Sequence, residues 1–284
     1  MENKSKGITL ILLSALFFAF MAATVKSLNN IPVTEKIFFR NAFGFIVAFI
    51  MIRRKKKPLL GNNKPLLLLR STFGLLGVAC YFYALSNIKL ADAVMLNKLS
   101  PFFVLVLSAI FLKEKIKKPQ LISLILALGG AAFLIKPEFN SSILPSLIAL
   151  LSALFAGSAY TTIRHLRHTD AAETIVLYFT FFSTVLMIPL MATGTFGSFV
   201  VPNGLELIRL LGLGVFATAA QFLMTNAYRY APAGELAIYT YTNIIFSTVI
   251  GILIWSEIPD KLAIIGGLLI ITAGFINYQF NRRK

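Results

Sequence analysis

The chain has 284 residues, of which 57% are hydrophobic and 13% charged, and its mean hydropathy is +0.80. The charged share is about half that of a soluble domain, which leaves too little polar surface to cover an aqueous fold and points to lipid as the solvent. The net charge of +16 argues no nucleic-acid partner, because the basic residues stand in short runs between apolar segments without interleaved aromatics, and the single cysteine, Cys80, excludes a disulfide framework within the chain.

A membrane-crossing helix needs about 20 mostly apolar residues. The first such run is 8–28. Lys4 and Lys6 ahead of it imitate a signal peptide, but its length and the many runs that follow mark it as a retained helix. Asn29-Asn30-Ile31-Pro32 separates it from 34–52. A basic loop with Pro58 and Gly61-Asn62-Asn63 leads to 66–87, followed by 91–112 and 120–136, which ends at Lys136-Pro137. The runs 144–164 and 172–193 come next, and Pro202-Asn203-Gly204 introduces 205–228, 234–255 and 261–280. The runs are continuous and not alternating, so they predict helices, ten in all.

Lysine and arginine placement predicts the orientation. With the N-terminus in the cytoplasm, the cluster 53–57, Lys64, Arg70, Lys113 through Lys118, Arg164, Arg167, Arg229 and the C-terminal basic residues all fall inside, while Lys26, Lys36, Lys89, Lys136, Arg209 and Lys261 are scattered outside. Both termini are then cytoplasmic in a multi-pass protein of the cell membrane.

The halves repeat. Leu12-Leu13-Ser14-Ala15-Leu16-Phe17 recurs as Leu150-Leu151-Ser152-Ala153-Leu154-Phe155; in that register Lys26 meets Arg164 and Glu35 meets Glu173. After a small insertion Ala84 meets Ala227, Asp92 meets Glu235 and Glu114 meets Glu257. Three acidic pairs in register weigh heavily in a chain with only 11 acidic residues. The expected fold is an all-α integral membrane protein of ten transmembrane helices, arranged as two inverted five-helix repeats, 1–138 and 139–284. An odd span count turns the second repeat upside down, the arrangement that lets a carrier alternate between inward-open and outward-open forms.

The stretch Tyr81-Phe82-Tyr83-Ala84-Leu85, Leu90-Ala91-Asp92-Ala93, Pro101 and Leu112-Lys113-Glu114 resembles the EamA family of the drug/metabolite transporter superfamily. So does Asn226-Ala227-Tyr228-Arg229-Tyr230-Ala231-Pro232-Ala233, continuing to Glu257-Ile258-Pro259 and a Gly267 to Gly274 helix. The resemblance spans nearly the whole chain and implies ten helices, a central cavity and alternating access for a small organic solute: an amino-acid-like, nucleoside- or vitamin-like, or amine metabolite. Phe38-Phe39-Arg40-Asn41 and Tyr81 to Ala93 also resemble the branch proposed to carry S-adenosylmethionine or riboflavin.

Lys98 is the sharpest candidate solute contact. It lies inside the fourth run between Asn97 and the Ser100-Pro101 break, where an ammonium facing lipid is costly, unless it snorkels to the interface. Asn97 is its polar neighbour, and the repeat sets Tyr241 opposite Lys98. Tyr81, Tyr160, Gln221 and Asn226 complete the expected solute-binding set, with helix–helix hydrogen bonding as the alternative for the polar members. Arg40 and Glu35 are candidates for an ion pair or a coupling role, five residues apart and so off the ideal helical spacing, with an anion site as the alternative for Arg40. Glu35, Glu173, Asp92 and Glu235 sit near helix starts, where the helix dipole favours acids. Glu114 and Glu257 read as caps. His165 and His168 form too poor a ligand set for a metal, and no phosphate-binding glycine loop is present, so neither a metal nor a cofactor is expected. The partners are a small-molecule solute, the lipid bilayer and a proton or other coupling ion, in a monomer or homodimer. The alternatives are an intramembrane enzyme acting on a lipid-linked substrate, and a channel or accessory membrane protein.

Overall fold

The computed structural model describes residues 4–56, 58–111, 113, 115–135, 143–166, 168–195, 197–230 and 236–282. Glu114, Glu235 and the expected repeat boundary at 138/139 lie outside them. Among the described residues every regular element is helical: α1 (Lys4–Ser27), α2 (Val33–Arg54), α3 (Lys64–Asn87), α4 (Leu90–Asn97), α5 (Ser100–Phe111), α6 (Lys118–Ile135), α7 (Ile143–Leu166), α8 (Ala172–Thr193), α9 (Gly204–Tyr230), a 3-10 turn (Ala237–Tyr241) leading into α10 (Thr242–Trp255), and α11 (Lys261–Arg282). Nine described segments are long and apolar enough to cross a membrane, counting α4 with α5 as one and the 3-10 turn with α10 as another. The tenth, α2, has the length but carries Glu35, Lys36, Arg40, Arg53 and Arg54.

Local chemistry sets the ends. Asn63 caps α3 by accepting from the Leu66 N–H, with Pro65 in the first turn. Asn203 and Glu206 cap α9 reciprocally: the Asn203 N–H donates to Glu206 Oε2 and the Glu206 N–H donates to Asn203 Oδ1, both at 2.9 Å. Gly194 ends α8 in the left-handed region at φ 66°, which costs glycine nothing.

Two spans are discontinuous. The sequence marks a break at Ser100-Pro101 within the run 91–112; the structure places it just before, at Lys98-Leu99. Pro101 has no N–H to donate to the preceding turn, and the chain restarts as α5 at Ser100. The ninth span enters as a 3-10 turn ending at Tyr241. The repeat register sets Lys98 against Tyr241, so both breaks fall at equivalent places.

The packing closes under exchange of the halves. α1 packs on α9 and α3 on α7, while α2 packs on α8, α6 on α11 and α4 on α10. Exchanging each helix with its repeat equivalent turns the first pair into the second and returns the other three to themselves. That is the signature of a two-fold axis, and five spans per half put the axis in the membrane plane. The core runs through the middle of the bundle around α4, whose residues from Leu90 to Leu96 are all buried. One amide ties each broken helix to the first helix of the opposite half: Asn97 Nδ2 donates to Ser152 Oγ at 3.0 Å and Asn243 Nδ2 to the Ala15 carbonyl at 2.9 Å.

At the α6–α11 contact the backbones themselves touch. A methyl at Gly130 would lie 2.7 Å from the Gly266 carbonyl, and one at Gly266 would lie 2.6 Å from that of Gly130. Gly129, one residue away, has nothing within 4 Å. Gly266→Ala is expected to destabilise the protein by about 1–3 kcal/mol through overpacking, while Gly129→Ala gains roughly 0.5–1 kcal/mol from helix propensity. Melting in detergent should therefore shift in opposite directions for the two variants.

Candidate functional site

The face of the bundle where α1 begins and α11 ends is called here the terminal face, and the opposite one the far face. A cavity of about 160 Å³ lies between α2, α3, α8 and α9. Lys55 and Glu173 mark its rim at the terminal face, joined by an ion pair of 2.6 Å. Arg40 and Asn41 line its deep part, about 22 Å from Lys55 along α2 at 1.5 Å per residue. Arg70, Phe179, Thr180, Thr218, Gln221, Phe222, Thr225 and Asn226 complete the polar and aromatic lining.

Arg40 donates from Nη1 to Asn41 Oδ1 at 3.1 Å, and Asn41 is in turn fixed by donating from Nδ2 to the Ile37 carbonyl at 2.9 Å. Both guanidiniums lie over the Phe179 ring, Arg70 at 4.2 Å and Arg40 at 5.9 Å from its centroid. Such contacts hold a cation without neutralising it.

The far face is closed by charge pairing. Lys26 Nζ sits 2.7 Å from Glu257 Oε1, donates to the Ile88 carbonyl at 2.6 Å and lies over the Trp255 ring. Glu257 Oε2 accepts from the Leu90 N–H at 2.8 Å, so it does cap a helix, but α4 of the other half and not the helix that follows it. Lys89 Nζ reaches the Ile258 carbonyl, Lys36 Nζ the Ser86 hydroxyl, and Arg209 Nη1 the Ser27 carbonyl. Glu35, fully buried, accepts from the Val200 N–H at 2.8 Å. Glu35 and Arg40 thus do not meet: five positions on a helix point them apart, the first to the far-face loop and the second into the cavity.

Of the expected solute contacts, the structure brings Gln221 and Asn226 together with Arg40 in this cavity. Lys98, Asn97, Tyr81, Tyr160 and Tyr241 are not among its lining residues. Lys98 stands at the α4–α5 break, where its ammonium has no hydrogen-bond or ion-pair partner among the described residues. Asn97 is engaged with Ser152. Tyr81 packs against the core, Tyr160 is exposed on α7, and Tyr241 rests on Gly274 of α11, where a methyl would lie 2.5 Å from its ring. The sequence counts Arg70 only among the cytoplasmic basic residues, whereas the structure sets it in the cavity wall. Phe179 was missed because an apolar ring in an apolar helix gives no signal.

The model of the EamA-like transporter family matches residues 5–136 and again 143–279. The chain is 38% identical over 270 residues to the pseudopaline exporter CntI of Pseudomonas aeruginosa, covering 94% of each chain. It is 27% identical to a riboflavin transporter of Brucella anthropi, covering 86% of this chain and 87% of that one, and 25% identical to an S-adenosylmethionine uptake transporter of Rickettsia felis, covering 86% and 83%. A solved crystal structure superposes with a TM-score of 0.68 at 17% identity over 98% of both chains, a likeness of fold.

Lys26→Met removes one member of a largely buried pair and strands the Glu257 carboxylate, a loss of about 3 kcal/mol. In a Cys80→Ser background, a cysteine placed at Trp255 is expected to react faster with a membrane-impermeant thiol reagent once Lys26 is replaced. Unchanged labelling and melting would show that the pair does not hold the far face shut.

Proposed function

The chain belongs to the EamA-like transporter family, and from that premise we propose that it is a secondary transporter that carries a small organic metabolite across the cytoplasmic membrane by alternating access. The observation that carries the reading is the cavity on one side of a bundle whose other face is tied by Lys26–Glu257. The basic residues Arg53, Arg54, Lys55, Lys64 and Lys117 cluster at the terminal face, which assigns that face to the cytoplasm. The cavity then faces inward. Export is the direction we assign, because the 38% identical relative is named an exporter and an inward-facing cavity is where an exported solute loads. The names of the exporter, the riboflavin transporter and the S-adenosylmethionine transporter support transport over catalysis.

Within this reading Gln221 and Asn226 hydrogen-bond the loaded solute. Lys98 and Tyr241, at the equivalent breaks of the fourth and ninth spans, are assigned to the stage at which the broken helices shift. Asn97, Tyr81 and Tyr160 are assigned to the walls the solute then passes. Glu35 belongs to the far-face closure.

Purified protein in proteoliposomes should show counterflow of a metabolite selected by thermal-shift screening. Gln221→Leu and Asn226→Leu should each lower its rate about tenfold with unchanged melting, the worth of one or two hydrogen bonds to a bound polar group. Lys98→Ala should raise the half-saturation concentration or alter the pH dependence. Full counterflow in all three variants would sink the site assignment, and no counterflow for any stabilising metabolite would sink the carrier.

A further inference from the structure

The cavity holds more positive charge than it needs. Among the described residues, Arg40 Nε and Arg70 Nε and Nη1 are buried without a hydrogen-bond partner. Guanidinium stays protonated in proteins, so neutralisation is not an escape. The one carboxylate in the lining, Glu173, is taken by Lys55 at 2.6 Å. Two cations facing the same space, desolvated and unpaired, repel one another and leave directed N–H groups unused. The surroundings keep them in place. Asn41 is locked with its oxygen toward Arg40, Phe179 offers one flat ring to both, and Gly74 leaves the room they occupy. A methyl at Gly74 would lie 2.9 Å from Phe179 Cε2 and 3.3 Å from Arg70 Nη1.

We infer that the cavity is built for a small organic dianion, its two negative charges, carried on two carboxylates or on one phosphate, engaging the Arg40 and Arg70 guanidiniums while Gln221 and Asn226 meet the polar body between or beside them. The inference rests on reading this cavity as the solute site. Guanidinium presents a planar fork that matches either oxyanion in two parallel hydrogen bonds. Two forks over one ring lie within reach of a single short solute. Among the described residues of this cavity an amine or quaternary cation finds no unpaired counter-charge and meets two like charges.

The test uses the full-length protein in detergent with succinate, glutarate, glycerol 3-phosphate, acetate and choline as probes, read by thermal shift and calorimetry. Succinate, glutarate or glycerol 3-phosphate should bind more tightly than acetate, and choline should not bind; the dicarboxylate and phosphate arms identify which oxyanion the forks take. Arg70→Gln should weaken dianion binding about tenfold to a hundredfold, the worth of a charged hydrogen-bonded contact, and erase the preference over acetate. Arg70→Lys keeps the charge, loses the fork and should fall between; it also serves if the glutamine variant does not fold. Equal binding of acetate and dianions to the wild type, binding of choline, or an unchanged preference in a folded Arg70 variant would each overturn the inference. Counterflow separates the two claims: dianion binding without counterflow keeps the site and removes the carrier, whereas counterflow of a neutral or cationic solute without dianion binding keeps the carrier and removes the site.

Discussion

Hydrocarbon solvates neither a charge nor an unpaired peptide group, and in a chain this apolar that constraint decides where every polar atom goes. Backbone groups are absorbed by helices. Many serine and threonine hydroxyls are absorbed by the preceding turn, as when Thr161 donates to the Gly157 carbonyl or Ser71 to that of Leu67. Most lysines and arginines are sent to the terminal face, where α2 ends in Arg53 and Arg54. At the far face Lys26 and Glu257 pair with each other, and Glu257 also caps α4. Among the buried groups left without a partner, the Arg40 and Arg70 guanidiniums are the two that line the cavity, and they mark where something other than the protein can complete the structure.

The same constraint limits how such a bundle can move. A helix cannot open its backbone to lipid, so movement is concentrated where the backbone is already irregular and shielded. The breaks at Lys98-Leu99 and at the 3-10 turn before α10 are such places, both lying in the interior of the bundle. Each broken helix is tied by one amide to the first helix of the opposite half, through Asn97 and Asn243. A single hydrogen bond between membrane helices is worth about 1 kcal/mol, enough to register the halves and too little to lock them. The α6–α11 contact, by contrast, lets backbones touch at Gly130 and Gly266 and reads as a fixed clasp at the edge.

The fold was legible because its signal is redundant. Ten apolar runs, turn residues between them and a charge bias on one side all say the same thing, and the helix limits fall within a few residues of the runs. The fourth span departs because one proline in an apolar stretch does not say how far the break spreads. The site was legible only in part. Gln221 and Asn226 stand out as amides in an apolar helix, and Arg40 as a charge in one. Arg70 lies so near a helix start that snorkelling explains it equally well, and only the packing of α3 beside α2 and α8 turns it inward. The Lys26–Glu257 pair joins residues separated by most of the chain, and no local pattern encodes that meeting. Tyr241 was singled out by symmetry, but symmetry relates backbone positions and cannot say that Gly274 would leave a seat for the ring.

The two-fold relation exchanges helices without exchanging side chains, and the cavity shows the consequence. In the register that pairs Glu35 with Glu173, Arg40 corresponds to Tyr178 and Asn41 to Phe179; in the register that pairs Ala84 with Ala227, Arg70 corresponds to Leu213, Gln221 to Val78 and Asn226 to Tyr83. A cavity opened at the far face by exchanging the roles of the halves would therefore present Tyr178, Leu213, Val78 and Tyr83 where the present one presents two guanidiniums and two amides. An anion held at the terminal face would meet no matching charge on the other side. Unequal affinity cannot by itself drive net flux, since any equilibrium cycle returns what it gains. In a carrier of such an anion it would set the working range of the two faces, with loading at low concentration on the arginine side and release against high concentration on the apolar side. That asymmetry is the one an exporter needs, and it arises because the duplicated halves diverged in side chains while keeping their helices in register.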